Sequence, residues 1–193
     1  MWTLPNVLTA SRVVAAPCVA LAFSAFDRPT ADWVALLLFV GAAVTDWIDG
    51  WIARRHGSES AFGRMLDPIA DKAMAAIALA VLMALYGLGP MLTIPVATIL
   101  LRETLVAGLR EFLGGASLKV TRLAKWKTTA QLSAIAVLLA AAPATAALGV
   151  GAGAAVYALG LALLWLAAAL TAVTGWDYFS KGMALLRARE GRA

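Results

Sequence analysis

The chain has 193 residues, of which 62% are hydrophobic and only 14% charged, whereas a soluble domain is ~45–50% apolar and about a quarter charged. That balance excludes an ordinary soluble protein and a disordered chain, and a lone cysteine, Cys18, excludes a disulfide scaffold. The net charge is +5, but the basic residues flank apolar segments instead of forming one patch interleaved with aromatics, so nucleic acid is not an expected partner.

A helix needs about 20 residues to cross a ~30 Å hydrocarbon core. Six segments meet this requirement in turn: Pro5–Phe23, Asp32–Arg54, Phe62–Tyr86, Met91–Leu113, Lys125–Ala142 and Ala152–Trp176. The first carries Arg12 and is followed by no polar passenger, so a cleavable leader is not expected. Breaks are expected at Phe26-Asp27-Arg28-Pro29, His56-Gly57-Ser58, Gly87-Leu88-Gly89-Pro90, Gly114-Gly115, and at Pro143 with Gly149, Gly151 and Gly153. The last break is needed because Thr128–Trp176 holds no charge yet is far too long for one crossing. Residues 1–193 therefore read as a single all-α integral membrane domain of six transmembrane helices.

Arg12, Arg54, Arg55, Arg64, Lys119, Arg122, Lys125, Lys127, Lys181, Arg187, Arg189 and Arg192 fall toward the ends that share one side, and the three opposite loops hold only Arg28. The positive-inside rule then predicts cytoplasmic N and C termini. Asp46, Asp49, Asp67, Asp71, Lys72, Arg102, Glu103 and Arg110 lie toward the same side, so a polar site would open to the cytoplasm. Trp2, Trp33 and Trp176 read as interfacial anchors. His56 and Cys18 are not expected to be catalytic.

Four aspartates within two membrane spans are costly and by default mark function. On the second span, at about 100° per residue, Asp46, Asp49, Gly50, Ala53 and Arg54 fall within an arc of roughly 140°. On the third, Gly63, Asp67 and Asp71 form one stripe. With a turn near Gly57–Glu59, antiparallel pairing sets Asp46 level with Asp71 and Asp49 near Asp67. Four converging carboxylates repel each other and are desolvated, which divalent cations relieve. All-oxygen ligation suits one or two Mg²⁺ or Mn²⁺ ions. Gly50, Ala53 and Gly63 leave room for a nucleotide diphosphate, Arg54 offers a planar fork for phosphate, and a depth of ~12 Å from the helix ends suits a lipid-linked substrate. A proton- or ion-coupled transporter is a second class, but the later spans offer no acid on the outer half to complete a path.

Asp46-x2-Asp49-Gly50-x2-Ala53-Arg54-x8-Gly63-x3-Asp67-x3-Asp71 resembles, at all eight fixed positions, the signature of the CDP-alcohol phosphatidyltransferases. The resemblance implies that Asp46, Asp49, Asp67 and Asp71 bind the metals and that Asp71 is also the general base. It implies CDP-lipid contacts for Gly50, Arg54, Ser60 and Gly63 beside the small Ala53, with Asn6 and Thr9 helping to cap that pocket, and a homodimer. Leu4-Pro-Asn-Val-Leu-Thr-x-x-Arg12, Leu66-Asp-Pro-x-Ala-Asp-Lys72, Arg102-Glu103, Leu109-Arg-Glu111 and Lys125-x-Lys-Thr-Thr-Ala-Gln131 extend the likeness toward the bacterial branch that uses glycerol 3-phosphate. The expected reaction joins it to CDP-diacylglycerol and releases CMP, in the bacterial cytoplasmic membrane. Phosphatidylglycerol (the cardiolipin synthase reaction), inositol phosphate and serine are the alternative acceptors.

An acceptor with its own phosphate needs a second cationic pocket. Arg102 and Arg110 differ by only ~80° in direction on the fourth span, and Lys125 and Lys127 open the fifth. These four are the expected phosphate clamp, with Glu103 and Glu111 orienting the arginines and Tyr178 and Lys181 as further candidates.

Overall fold

A computed structural model describes residues 4–56, 61–112 and 122–190. Every regular element among them is helical: α1 Leu4–Ala25, α2 Thr30–His56, α3 Ala61–Tyr86, α4 Pro90–Phe112, α5 Arg122–Leu148 and α6 Val150–Glu190. Among the described residues, five helices, α1 and α3 to α6, are long and apolar enough to cross a membrane. The chain is a multi-pass membrane protein. Helices suit that setting because they satisfy their own backbone groups where no water can. Several hydroxyls follow the same rule: Thr98, Thr104, Thr145 and Thr174 each donate to the carbonyl four residues earlier, at 2.7–3.0 Å.

Glycine sets two helix ends. Gly87, at φ +82°, donates its N–H to the Met83 carbonyl at 2.9 Å and closes α3. Its successor Gly89 accepts from Leu92 and Thr93 while Pro90 opens α4, the position where a missing N–H costs nothing. Gly149, at φ +94°, likewise ends α5 by donating to Thr145 and starts α6 by accepting from Gly153.

The break expected over Pro143, Gly149, Gly151 and Gly153 falls at Gly149, and its Pro143 part is corrected: α5 continues through that proline to Leu148. Pro17, Pro68 and Pro95 also lie inside helices, since neighbouring groups in a helical membrane protein can offset the lost bond. The sixth helix is also longer than expected, passing Trp176 to reach Glu190. There the apolar stripe gives way to good helix formers and a Lys181–Asp177 ion pair one turn apart, 2.7 Å. The expected turn at Gly57–Glu59 and the break at Gly114-Gly115 lie outside the described residues.

The helices divide between two compact units, Met1–Leu88 with Ile135–Gly160, and Gly89–Ala134 with Leu161–Ala193. In the first, α1 packs on α2 and α3. Asn6, Thr9, Arg12, Ala16, Val19 and Ala22 form its buried stripe, three or four residues apart. Ala31, Ala35, Phe39 and Ala42 do the same on α2, and Ala70, Met74, Ala78 and Leu82 on α3. Away from that seam, Tyr86 donates to the Leu138 carbonyl at 3.2 Å and lies 4.7 Å, centroid to centroid, from Tyr157. At the α1–α2 turn Arg28 grips Asp32 through two bonds of 2.8 and 2.9 Å, which raises the Arg28 pKa above its usual value. In the second unit, the Trp165 indole donates to the Met91 carbonyl at 3.0 Å. A Cβ at Gly182 would stand 2.5 Å from Leu109, so α6 and α4 approach closely through a small residue.

Candidate active site on helices α1 to α3

The buried stripes on α2 and α3 run on into acids. Continuing 35, 39 and 42 by helical spacing reaches Asp46, and reading 78, 74 and 70 backwards reaches Asp67, with Asp71 one turn after it beside Ala70. The structure brings these three carboxylates together and places one cation among them. Arg12 of α1 donates through Nη1 to Asp46 and, at 2.9 Å, to Asp71. Its Nη2 lies 3.2 Å from Asp67 Oδ1 and 3.4 Å from the Thr9 hydroxyl. Thr9 donates to the same Asp67 oxygen at 2.7 Å.

Burial is uneven across this cluster. The Arg12 side chain is 4% exposed, whereas those of Asp46, Asp67 and Asp71 are 43%, 49% and 55% exposed. The base is held inside the helix seam and the acids face outward from it. Asn6 and Thr9 are buried beside Arg12 on the same stripe of α1, and Gly63 is buried one turn before Asp67. The antiparallel register anticipated for α2 and α3 agrees with this geometry, because Asp46 and Asp71 meet the same guanidinium nitrogen. Asp49, Gly50, Ala53 and Arg54 lie on α2, but their side chains fall outside the described residues, and Ser60 lies outside them altogether.

Arg12 is the residue whose place sequence reasoning missed, counting it as an orienting charge and as part of the Leu4–Arg12 likeness but giving it no role among the acids. A signal was present: Asn6, Thr9 and Arg12 extend the apolar stripe of Ala16, Val19 and Ala22 toward the helix start, and polar groups on a buried face need partners. Four aspartates on the neighbouring spans were the partners on offer.

The expected acceptor clamp belongs to the second unit. Glu103 takes hydrogen bonds from the Lys127 ammonium and, at 3.1 Å, from Arg102. The side chains of Lys127 and Arg102 are 8% and 15% exposed. Glu103 thus orients Arg102 as expected and Lys127 as well. Gly175 of α6 lies so close that a Cβ there would stand 2.7 Å from Arg102 Cγ. Arg110 is exposed and rests on Tyr178, its guanidinium carbon 5.9 Å from the ring centre and its Nε 3.4 Å from the hydroxyl oxygen. Lys181 is paired with Asp177. The Lys125 side chain lies outside the described residues.

A sequence model of the CDP-alcohol phosphatidyltransferase family matches residues 2–173. The chain belongs to that family. A protein of Cereibacter sphaeroides named CDP-diacylglycerol–glycerol-3-phosphate 3-phosphatidyltransferase is 50% identical, over 96% of this chain and 98% of its own. Proteins of the same name from Rickettsia bellii and Pectobacterium atrosepticum are 41% and 40% identical, over 91% and 93% of this chain and 93% and 94% of theirs. The family is generally metal-dependent.

The donor set fits a divalent cation in kind, being carboxylate oxygens, with no thiol or imidazole, drawn to a common point and open on one side. Among the described residues no three acids, histidines or cysteines are already arranged to hold a metal. The point on which Asp46, Asp67 and Asp71 converge is taken by the Arg12 guanidinium.

Proposed function

We propose that this chain transfers the phosphatidyl group of CDP-diacylglycerol to glycerol 3-phosphate, forming phosphatidylglycerophosphate and CMP. The observation that carries the reading is the convergence of Asp46, Asp67 and Asp71 from α2 and α3 on one point in a member of this family. The named activity of the bacterial relatives supplies the acceptor.

Asp46, Asp49, Asp67 and Asp71 would hold one or two Mg²⁺ or Mn²⁺ ions, whose charge would offset that of the diphosphate and of the departing CMP. Gly50, Ala53 and Gly63 leave space for the nucleotide, Arg54 binds phosphate, and Asn6, Thr9 and Ser60 border the donor. Asp71 takes the proton from the 1-hydroxyl of glycerol 3-phosphate. The resulting alkoxide oxygen bonds to the lipid-side phosphorus, and the bond from that phosphorus to the oxygen bridging it to CMP breaks in line. CMP leaves with that oxygen and the electron pair, so no covalent enzyme intermediate is needed. Arg102, Arg110, Lys125 and Lys127 bind the acceptor's phosphate through charge-assisted hydrogen bonds.

The chain works as a single domain with six spans and cytoplasmic termini, in the bacterial cytoplasmic membrane with its site facing the cytoplasm, and pairs as a homodimer. Basic residues gathered at one set of helix ends and the bacterial relatives support the placement, and the family resemblance supports the dimer. The test is CMP release from CDP-diacylglycerol by purified protein with Mg²⁺, offering glycerol 3-phosphate, inositol phosphate, serine and phosphatidylglycerol in parallel. Glycerol 3-phosphate should give the fastest release, and preference for any other would overturn the acceptor assignment. Acid-dependent ion flux with no CMP would overturn the transferase reading.

A further inference from the structure

We propose that Arg12 is an internal counter-cation: in the metal-free protein it holds the carboxylates of Asp46, Asp67 and Asp71 together, and it competes with the divalent ion for their oxygens. The inference rests on the reading that these aspartates bind such an ion, and it adds a residue of α1 that sets how tightly they do so.

Two observations support it. The guanidinium meets one Oδ1 oxygen from each of the three acids, so the atoms best placed to ligate a metal are already engaged. Arg12 is nearly inaccessible while its partners are about half exposed, which places the compensating charge on the protein side of the cluster and leaves the other side open to an incoming ion.

Without a cation, three carboxylates at one point would repel each other and desolvation would add to the cost. A guanidinium meets that need through several directed hydrogen bonds. It also adds a fixed positive charge beside any dication that enters, which opposes binding. Metal affinity is then lowered by the same residue that keeps the metal-free site in shape.

The experiment uses the full chain in detergent, stripped with EDTA and titrated with Mn²⁺, free ion being read by its electron paramagnetic resonance signal. Wild type, Arg12→Gln, Arg12→Lys and Asp67→Asn are compared, and each is melted in EDTA and in saturating Mn²⁺. Arg12→Gln should bind Mn²⁺ roughly tenfold more tightly or better and melt lower than wild type in EDTA, with Mn²⁺ closing most of that gap. Arg12→Lys should fall between the two in affinity. Should Arg12→Gln not survive in EDTA, Arg12→Lys decides alone, and an unchanged affinity there counts against the proposal. Equal or weaker Mn²⁺ binding by Arg12→Gln, with binding by wild type that Asp67→Asn weakens, overturns the counter-cation and leaves the metal reading intact. No Mn²⁺ bound by either protein overturns both.

Discussion

In the first unit three carboxylates share one guanidinium, whereas in the second two bases share one carboxylate. Among the described pairs, acids outnumber bases around Arg12 and bases outnumber acids around Glu103. Each minority charge bonds the majority charges around it, Arg12 from a buried position and Glu103 from a partly exposed one. A neutral ion pair inside an apolar protein is explained by mutual compensation alone. An unbalanced one suits a further partner of the opposite sign, which in the proposed reaction would be a cation for the acids and an anion for the bases. The two substrates of the proposed reaction would divide in this way, one diphosphate bound through cations and one phosphate bound by arginine and lysine.

Breaking the acidic cluster should have the largest effect. Asp71→Asn should lower CMP release by about a thousandfold, within the range of a lost general base, while metal-dependent binding of CDP-diacylglycerol persists in an equilibrium binding assay. Retained turnover would remove Asp71 from the proton transfer. Next, Arg12→Ala should destabilise the metal-free protein by about 2–3 kcal/mol, less than the ~3–5 of a fully buried pair because the three acids are about half exposed. Thermal or denaturant unfolding in EDTA reads this directly.

The basic cluster should respond differently. Gly175→Ala places a Cβ against Arg102, and the displaced guanidinium should raise KM for glycerol 3-phosphate about tenfold with little change in KM for CDP-diacylglycerol. Arg110→Ala should be smallest, a roughly threefold rise in the same KM, since an exposed cation contributes little. Steady-state kinetics in mixed micelles measures both, and a larger effect at Arg110 than at Gly175 would reverse the ranking of the two residues.

Much of this was legible in the sequence. The span limits of α3 and α4 follow from apolar length between Gly and Pro signals, and the convergence of Asp46, Asp67 and Asp71 follows from helical spacing on two consecutive spans. Of the break expected over Pro143, Gly149, Gly151 and Gly153, Gly149 alone turns the chain, and α5 runs through Pro143 because proline interrupts a helix in water more readily than in a packed membrane protein. The extension of α6 to Glu190 was missed because apolar length locates a crossing and not the end of a helix. Arg12 was hidden for a similar reason. A basic residue near a span end satisfies the positive-inside rule wherever it points, and only its place on the buried stripe of α1 separates a site residue from an orienting charge. The Glu103 link to Lys127 joins residues on different helices, which spacing along one helix cannot show.

The division of labour between the clusters is tested most directly by measuring both KM values for Lys127→Gln. That substitution removes one of the two bases held by Glu103 while leaving every acid of the first unit in place. We expect KM for glycerol 3-phosphate to rise roughly 10–100-fold, the loss of one charge-assisted hydrogen bond, and KM for CDP-diacylglycerol to stay within about twofold of wild type. An equal rise in both values, or a rise for the liponucleotide alone, would contradict the account.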